Sequence, residues 1–284
     1  MKKIAILGID GMLGSAVYKI FSQTKFNIIG INRSTLDVQY AGVNEIKNAV
    51  EDSDYIINCI GIIKPYIHDD NPAEVERAIE INALFPHRLS QCGIKTIQIA
   101  TDCVYDGVKG NYVETDKHNA LDVYGKTKSL GEVSSENFLN LRCSIIGPEK
   151  KNKKSLLEWF LNQPDNAEVN GFNNHQWNGI TTFAFAKICK GIIENELWFH
   201  GLQHIIPANA LNKSDMLKYF ANVFSRKDIK IKEISAEESI NRTISTLHTH
   251  RNKQLWEAAD YDRIPSLETL ITEIKILNEF PEKK

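Results

Sequence analysis

The sequence predicts an α/β fold built on a doubly wound parallel sheet, with a small C-terminal lobe, and three observations lead there. Short apolar runs alternate with amphipathic stretches through the first half of the chain. The first run, Ile4–Leu7, passes at once into a glycine-rich turn and a helical pattern. A later run, 96–100, ends in a dense polar group, at the strand end where open α/β sheets hold ligands.

Taken in order, Ile4–Leu7 is the first strand, and Gly8-Ile9-Asp10-Gly11-Met12-Leu13-Gly14 is the turn into a helix over 15–22. Glycines at this spacing permit a tight turn, let backbone approach a pyrophosphate and pack the helix closely on the strand. The helix start then offers free amides to phosphate oxygens. Strand, turn and helix together favour nucleotide binding over a plain strand-ending glycine cluster, and the unit is Rossmann-like. Phe26–Ile31 is the second strand, and a residue near its end is expected at an adenosine ribose, ~20 residues past the glycines. An acidic residue there would repel a 2′-phosphate, but this chain has Asn32-Arg33-Ser34. Arg33 with Ser34 suits that phosphate, so NADPH is expected with NADH as the alternative, and Asp37 is a candidate contact near the adenine.

Residues 54–61 form the third strand, with Cys59, Ile60 and Gly61 at its tip, where the glycine leaves room for a cofactor. One long helix is expected over 72–92. Asn82 falls on its sheet-facing side and must find partners, either bracing the site or satisfying nearby backbone. Strands at 96–100 and 139–143 flank a helix over 123–135.

The central stretch is Thr101-Asp102-Cys103-Val104-Tyr105-Asp106-Gly107, a polar loop, then Tyr124-Gly125-Lys126-Thr127-Lys128. Tyr124 and Lys128 lie four apart on one helical turn and point the same way. An ammonium beside a phenol favours the phenolate, so a lowered Tyr124 pKa is expected, as proton transfer near neutrality requires. Thr101 is placed to hydrogen-bond the same substrate oxygen. Tyr-x-x-x-Lys alone is also met by chance on helix surfaces, and its value comes from what precedes it.

Composition narrows the function classes. With 284 residues, 42% apolar and 25% charged, the chain is long enough for a large core. A net charge of −2 leaves no footprint for nucleic acid or a membrane surface. No apolar run approaches the ~20 residues of a spanning helix. The N-terminal apolar run is too short for a signal peptide and meets Asp10. Five cysteines, without Cys-x-x-Cys spacing, point to reduced thiols in a cytoplasmic protein and away from zinc. His248 and His250 are read as part of a polar loop.

These motifs resemble the extended short-chain dehydrogenase/reductases, and within them the dTDP-4-dehydrorhamnose reductase family. The residues that carry the likeness are Gly8, Gly11 and Gly14, the runs 101–107 and 124–128, Leu141–Gly147, and Trp177–Thr182. The likeness covers about 1–190 well and the tail loosely. It implies a nucleotide-diphosphate 4-keto-6-deoxy sugar as substrate, reduced by NADPH in deoxysugar and surface-polysaccharide biosynthesis. It also implies roles: Tyr124 the general acid, Lys128 on the nicotinamide ribose, Thr101 orienting the carbonyl, Asp102 beside it, Ile145 and Ile146 flanking the nicotinamide. Related dehydratases usually have Asp-Glu after the threonine, where this chain has Asp102-Cys103, so elimination of water loses its acid/base. An epimerase with bound NAD and a non-catalytic NADP-binding regulatory subunit remain the rival expectations. Relatives are often dimeric, some with magnesium at the contact. No carboxylate cluster here reproduces that site, so a homodimer stays open and no metal requirement is expected.

Past Gly147 the composition changes. The expected division is an NADP-binding domain at 1–147 and a substrate-binding lobe at 148–284, partly interleaved with the first. Lys150–Lys154 is a basic run, either solvated or drawing a diphosphate. His175 and Trp177 are candidate sugar or base contacts, although Trp177 also suits a core position. The family usually has Gly-x-Pro-Thr near Trp177-Asn-Gly-Ile-Thr, which leaves the sugar open. Helices are expected over 155–161, 182–195, 212–225 and 267–277, and strands near 200–207 and 229–234, with 167–177 a strand followed by a polar, aromatic loop and Trp256 in the run-up to the last helix.

Overall fold

The computed structural model describes residues 1–149 and 153–279. Lys3–Leu7 forms β1, a strand buried on both faces, as a near-continuous apolar run inside a parallel sheet should be. It is followed by α1 (Met12–Phe21), β2 (Asn27–Ile31), α2 (Val43–Ala49), β3 (Tyr55–Asn58), α3 (Pro72–Ala78), α4 (Phe85–Ser90), β4 (Lys95–Ala100), α5 (Val123–Leu130) and β5 (Phe138–Arg142). The C-terminal half holds β6 (Ile145–Ile146), α6 (Leu156–Leu161), β7 (Glu168–Phe172), β8 (His175–Trp177), β9 (Ile180–Thr181), α7 (Thr182–Glu194), β10 (Gly201–His204), β11 (Leu211–Asn212), α8 (Lys213–Val223), β12 (Lys230–Ile234), β13 (Ile240–Asn241), α9 (Thr249–Ala258) and α10 (Leu267–Glu279).

The main sheet has the order β10-β5-β4-β3-β1-β2, and every pairing in it is parallel. From β1 the chain steps to β2 on one side and then to β3 on the other, which opens a crevice at the carboxyl ends between them. Ile4 and Ile6 pack with Val17 and Phe21 of α1 and Ile188 of α7, whereas Ala5 and Leu7 pack with Ile46 of α2 and Phe85 of α4. The alternation of side chains along β1 thus divides the core into two layers, one under each helical face. A doubly wound α/β fold is what the sequence predicts, and it is observed.

Three expectations are corrected. The helix over 72–92 is interrupted by a π-helical segment, Ile79–Leu84, between α3 and α4. Trp256 and His250 lie inside α9, with the indole fully buried and its N–H donating to Ile206 O at 2.8 Å. The helix α2 has no counterpart among the sequence expectations. Of the basic run, Lys150 to Asn152 lie outside the described residues.

Arg142, at the end of β5, is fully buried. It pairs with Glu132, donates to the Tyr105 hydroxyl at 2.5 Å, and faces His204 Nε2 at 2.8 Å and His118 Nε2 at 2.6 Å. A guanidinium can only donate, so both imidazoles must accept at Nε2 and stay neutral. His204 Nδ1 then donates to Ser245 O at 2.6 Å. Burial first, then the Arg142 charge, hold His204 at about 4, below its ordinary 6.5. The unfolded chain therefore binds a proton that the folded chain refuses. This contribution is complete above about pH 6.5 and is lost as the pH falls towards 4. We expect the melting temperature to drop between pH 7 and 5, with this group supplying on the order of 1 kcal/mol per pH unit. His204→Gln should flatten that part of the profile, and an unchanged slope in thermal melts would contradict the assignment.

Candidate functional site

The ends of β1, β3, β4 and β5 open into a cleft of about 450 Å³. Its inner wall is made by Gly11, Met12 and Leu13 at the start of α1, and by Cys59, Ile60 and Gly61 after β3. The turn between β1 and α1 requires its glycines. Gly8 has φ +82°, and a Cβ on Gly14 would lie 2.0 Å from Gly8 O. Gly11 caps α1 and offers no side-chain acceptor of its own to the first amides of the helix.

The floor is the turn after β4. Thr101 Oγ1 accepts from Cys103 N at 3.2 Å and donates to Asp102 Oδ1 at 3.3 Å. Against this turn packs α5, capped by Asp122, whose Oδ1 accepts from Gly125 N at 2.8 Å. A Cβ on Gly125 would lie 2.5 Å from Cys103 O, so the glycine inside Tyr-Gly-Lys-Thr-Lys is what lets α5 lie against the turn. That approach places the Tyr124 phenol within hydrogen-bonding reach of Thr101. Lys128, buried one turn on, donates to Ile99 O at 3.0 Å. A trivalent donor spends one N–H there and keeps two for the cleft.

Electrostatics correct one expectation. Tyr124 is not lowered by Lys128. Burial, joined by the neighbouring Cys103 and Asp102, pushes the phenol above its ordinary value, while Thr101 opposes this. Lys128 is itself lowered to about 8 by burial. Asp102 is raised, mainly by burial and against the pull of Arg242, and the Cys103 thiol is pushed up to about 12 by burial.

Thr101, Asp102, Cys103, Tyr124, Lys128, Ile145, His175 and Trp177 all line this one cleft. Other expected positions lie outside it. Asn32 and Ser34 form a local turn in which Asn32 Oδ1 accepts from Ser34 N at 3.1 Å and from Ser34 Oγ at 2.7 Å. Arg33 is mostly exposed and pairs with Asp37 at 3.1 Å. Asp37 lines a separate depression with Tyr40 and Glu45, and Asp10 is exposed beside Gly11. Gly8 N donates to Ile31 O at 2.8 Å, which ties the glycine turn to the end of β2.

Sequence reasoning missed Lys213, Arg242 and Gln176 on the outer wall, all remote in sequence from the central motifs. For Asn82 both proposed duties coincide. In the π segment its Oδ1 accepts from Ile62 N at 2.8 Å and its Nδ2 donates to Ile62 O at 3.0 Å. The extra residue in that turn directs the amide at the strand-tip loop beside Gly61, where a Cβ on the glycine would sit 3.4 Å from Asn82 Oδ1. Among the described residues no three His, Cys, Asp or Glu side chains gather as a metal site, and no helix is long and apolar enough to cross a membrane.

A parallel doubly wound sheet with a glycine turn at β1 and a Thr, Tyr, Lys group at the end of β4 is the arrangement of an extended short-chain dehydrogenase/reductase. The family model described as RmlD substrate binding domain matches residues 1–243, and the chain belongs to that family. Among curated proteins it is similar to methionine adenosyltransferase 2 subunit beta of Bos taurus, 30% identical, covering 82% of this chain and 75% of the relative. It is also similar to dTDP-4-dehydrorhamnose reductase of Aggregatibacter actinomycetemcomitans, 25% identical, over 72% of this chain and 73% of the other. Among solved structures, dTDP-4-dehydrorhamnose reductase of Bacillus anthracis in complex with NADP superposes with TM-score 0.78 at 17% identity, covering 97% of this chain and 99% of that one. The family resemblance read from the motifs is thereby borne out.

Asn82→Leu keeps the volume but leaves the Ile62 amide and carbonyl without partners. We expect a loss of about 1–3 kcal/mol in urea unfolding. An unchanged midpoint would mean that the amide does not brace this loop.

Proposed function

We propose that the protein is an NADPH-dependent reductase acting on the 4-keto group of a nucleotide-diphosphate 4-keto-6-deoxy sugar. The observation that carries the reading is the convergence of Thr101, Tyr124 and Lys128 on the floor of a cleft whose inner wall is the glycine turn. The turn fits a dinucleotide, because a side chain at Gly14 would collide with Gly8 and so part the helix start from the strand end. The bound nicotinamide supplies the hydride. Lys128 holds the nicotinamide ribose with its remaining N–H donors. Thr101 and the Tyr124 hydroxyl both donate to the substrate carbonyl oxygen, and Tyr124 gives up its proton as charge builds there. Ile145 and Ile146 exclude water from the ring face, and residues 148–284 form the substrate lobe, with His175 and Trp177 at the sugar.

Arg33 supports NADPH over NADH, since its guanidinium end is exposed while its Nε is held by Asp37. Deoxysugar synthesis for a surface polysaccharide, in the cytoplasm, is the setting that this substrate class suggests. A second reading is favoured by the relatives named methionine adenosyltransferase 2 subunit beta. In it the chain is a dinucleotide-binding subunit of such an enzyme and turns nothing over.

The discriminating measurement is NADPH oxidation with a panel of 4-keto-6-deoxy nucleotide sugars. Tyr124→Phe should reduce turnover at least about a hundredfold, the usual worth of a positioned proton donor, while cofactor affinity stays nearly unchanged. Equal rates in wild type and variant would remove Tyr124 from the chemistry. Absent turnover together with tight NADPH binding, and a change in activity of an added methionine adenosyltransferase, would favour the subunit reading. Arg33→Ala should weaken NADPH more than NADH by about tenfold in fluorescence titrations, as expected for one lost charge-assisted contact. Equal losses would mean that Arg33 does not meet the 2′-phosphate.

A further inference from the structure

The turn after β4 holds a carboxyl to which the proposed reduction gives no task. Asp102 is 5% exposed and lines the cleft floor between Thr101 and Cys103. Its Oδ1 lies 3.3 Å from Thr101 Oγ1, and Thr101 is within hydrogen-bonding reach of the Tyr124 phenol. Carboxyl, hydroxyl and phenol thus make one chain across the floor. Backbone fixes its middle, because Cys103 N donates to Thr101 Oγ1 at 3.2 Å. The hydroxyl proton of Thr101 stays free to turn towards the carboxyl or the phenol.

Charged and titratable groups face Asp102 from several elements. Arg242, after β13, and Lys213, of α8, attract its charge, and the Cys103 and Cys143 thiols and the Tyr124 phenol lie around it. The Arg242 guanidinium is held by backbone, its Nε donating to Tyr105 O at 3.1 Å and its Nη2 to Asp106 O at 3.1 Å. Burial outweighs its pull and holds the carboxyl above its ordinary value, which favours the acid form with a proton to give. Burial also makes the Tyr124 pocket hostile to a phenolate. Each turnover of the proposed reduction would nevertheless leave one there, and the next cannot begin until that oxygen regains a proton.

Building on the reductase reading, we propose that the Asp102 carboxyl is the proton store that returns Tyr124 to its phenol between turnovers, through the Thr101 hydroxyl. As hydride reaches the carbonyl carbon, the Tyr124 proton goes to the carbonyl oxygen and a phenolate remains. Thr101 then passes its hydroxyl proton to that phenolate and takes the proton of Asp102. The O–H bond of Asp102 is broken, that of Tyr124 is formed, Thr101 ends as it began, and no electrons change hands. Arg242 and Lys213 face the carboxylate that is left. Water entering the cleft as product leaves gives Asp102 its proton back.

The test is rapid-mixing NADPH oxidation by the full-length protein with dTDP- and UDP-linked 4-keto-6-deoxyglucose, comparing the first turnover with the steady state. Asp102→Asn, verified as folded by its melting temperature, keeps a hydrogen-bonding side chain of the same shape but has no acidic proton. Its first turnover should run near the wild-type rate, because Tyr124 starts protonated. Later turnovers should slow about a hundredfold, the low end of what a positioned proton donor contributes. A residue that only shapes the site or binds the sugar would slow both phases alike. Infrared spectra of the resting wild type, with and without isotope-labelled aspartate, need neither a variant nor turnover. They should show a protonated aspartate carboxyl near neutral pH, and its absence overturns the store. That band without any NADPH oxidation counts against the reductase reading alone. Oxidation in which Asp102→Asn slows first and later turnovers equally, or slows neither, counts against the store alone.

Discussion

The buried guanidinium of Arg142 is the point through which the end of the sheet is tied to everything that covers it. It stands at the last residue of β5, and its partners come from the turn after β4 (Tyr105), the loop before α5 (His118), the segment after α5 (Glu132) and β10 (His204). Tyr105 in turn stacks on Tyr112 at 4.2 Å between ring centroids, and Glu114 accepts from His204 N at 3.0 Å and Leu247 N at 2.9 Å. A buried ion pair of this kind contributes little net stability compared with apolar packing, because desolvation offsets the attraction. It does impose geometry. A guanidinium with donors in a fixed plane accepts only one arrangement of acceptors, and here that arrangement sets the Thr101–Gly107 turn relative to β5.

The cleft inherits its dimensions from that constraint. With the turn fixed by Tyr105, α5 can approach only as closely as Cys103 O permits, and Gly125 takes the approach to its limit. The distance between the backbones that carry Thr101 and Tyr124 is therefore limited by this contact. The same turn carries Arg242 on its other side, over Gly107. One short segment thus orients the floor and the outer wall together, which explains why its sequence is so dense in residues with a single geometric duty.

Much of this was legible in the sequence, because the features concerned are local. Strand tips, the glycine turn and Tyr-x-x-x-Lys each lie within a few residues of their partners, and periodicity places them on the correct elements. The unanticipated features have long-range causes. Lys213 and Arg242 reach the cleft from far beyond Tyr124 in the chain, through pairings of the short strands β8, β11 and β13 that have too few residues to show a pattern. The π segment at Asn82 is a one-residue insertion inside a helical periodicity, invisible until the amide is seen on Ile62. The helix α9 has a weakly amphipathic sequence and owes its existence to burial of Leu255 and Trp256 against α7.

The charge state of Tyr124 departs from its sequence expectation for an instructive reason. Helical spacing brings Lys128 to the same face, but its ammonium turns to Ile99 O and is itself weakened by burial, so desolvation dominates the phenol. The resulting state, a protonated tyrosine beside a threonine hydroxyl, differs in consequence from the phenolate that spacing alone suggests. A phenolate begins as a base and suits removal of a proton from an alcohol. A neutral phenol begins as an acid, with its proton already in place for a carbonyl oxygen that gains electrons. The lysine at about 8 remains mostly charged near neutrality, so in the proposed reaction it would attract the oxyanion left on Tyr124. In the proposed reductase reading, burial would set the starting protonation for the reducing direction, and the lysine would limit the cost of completing it.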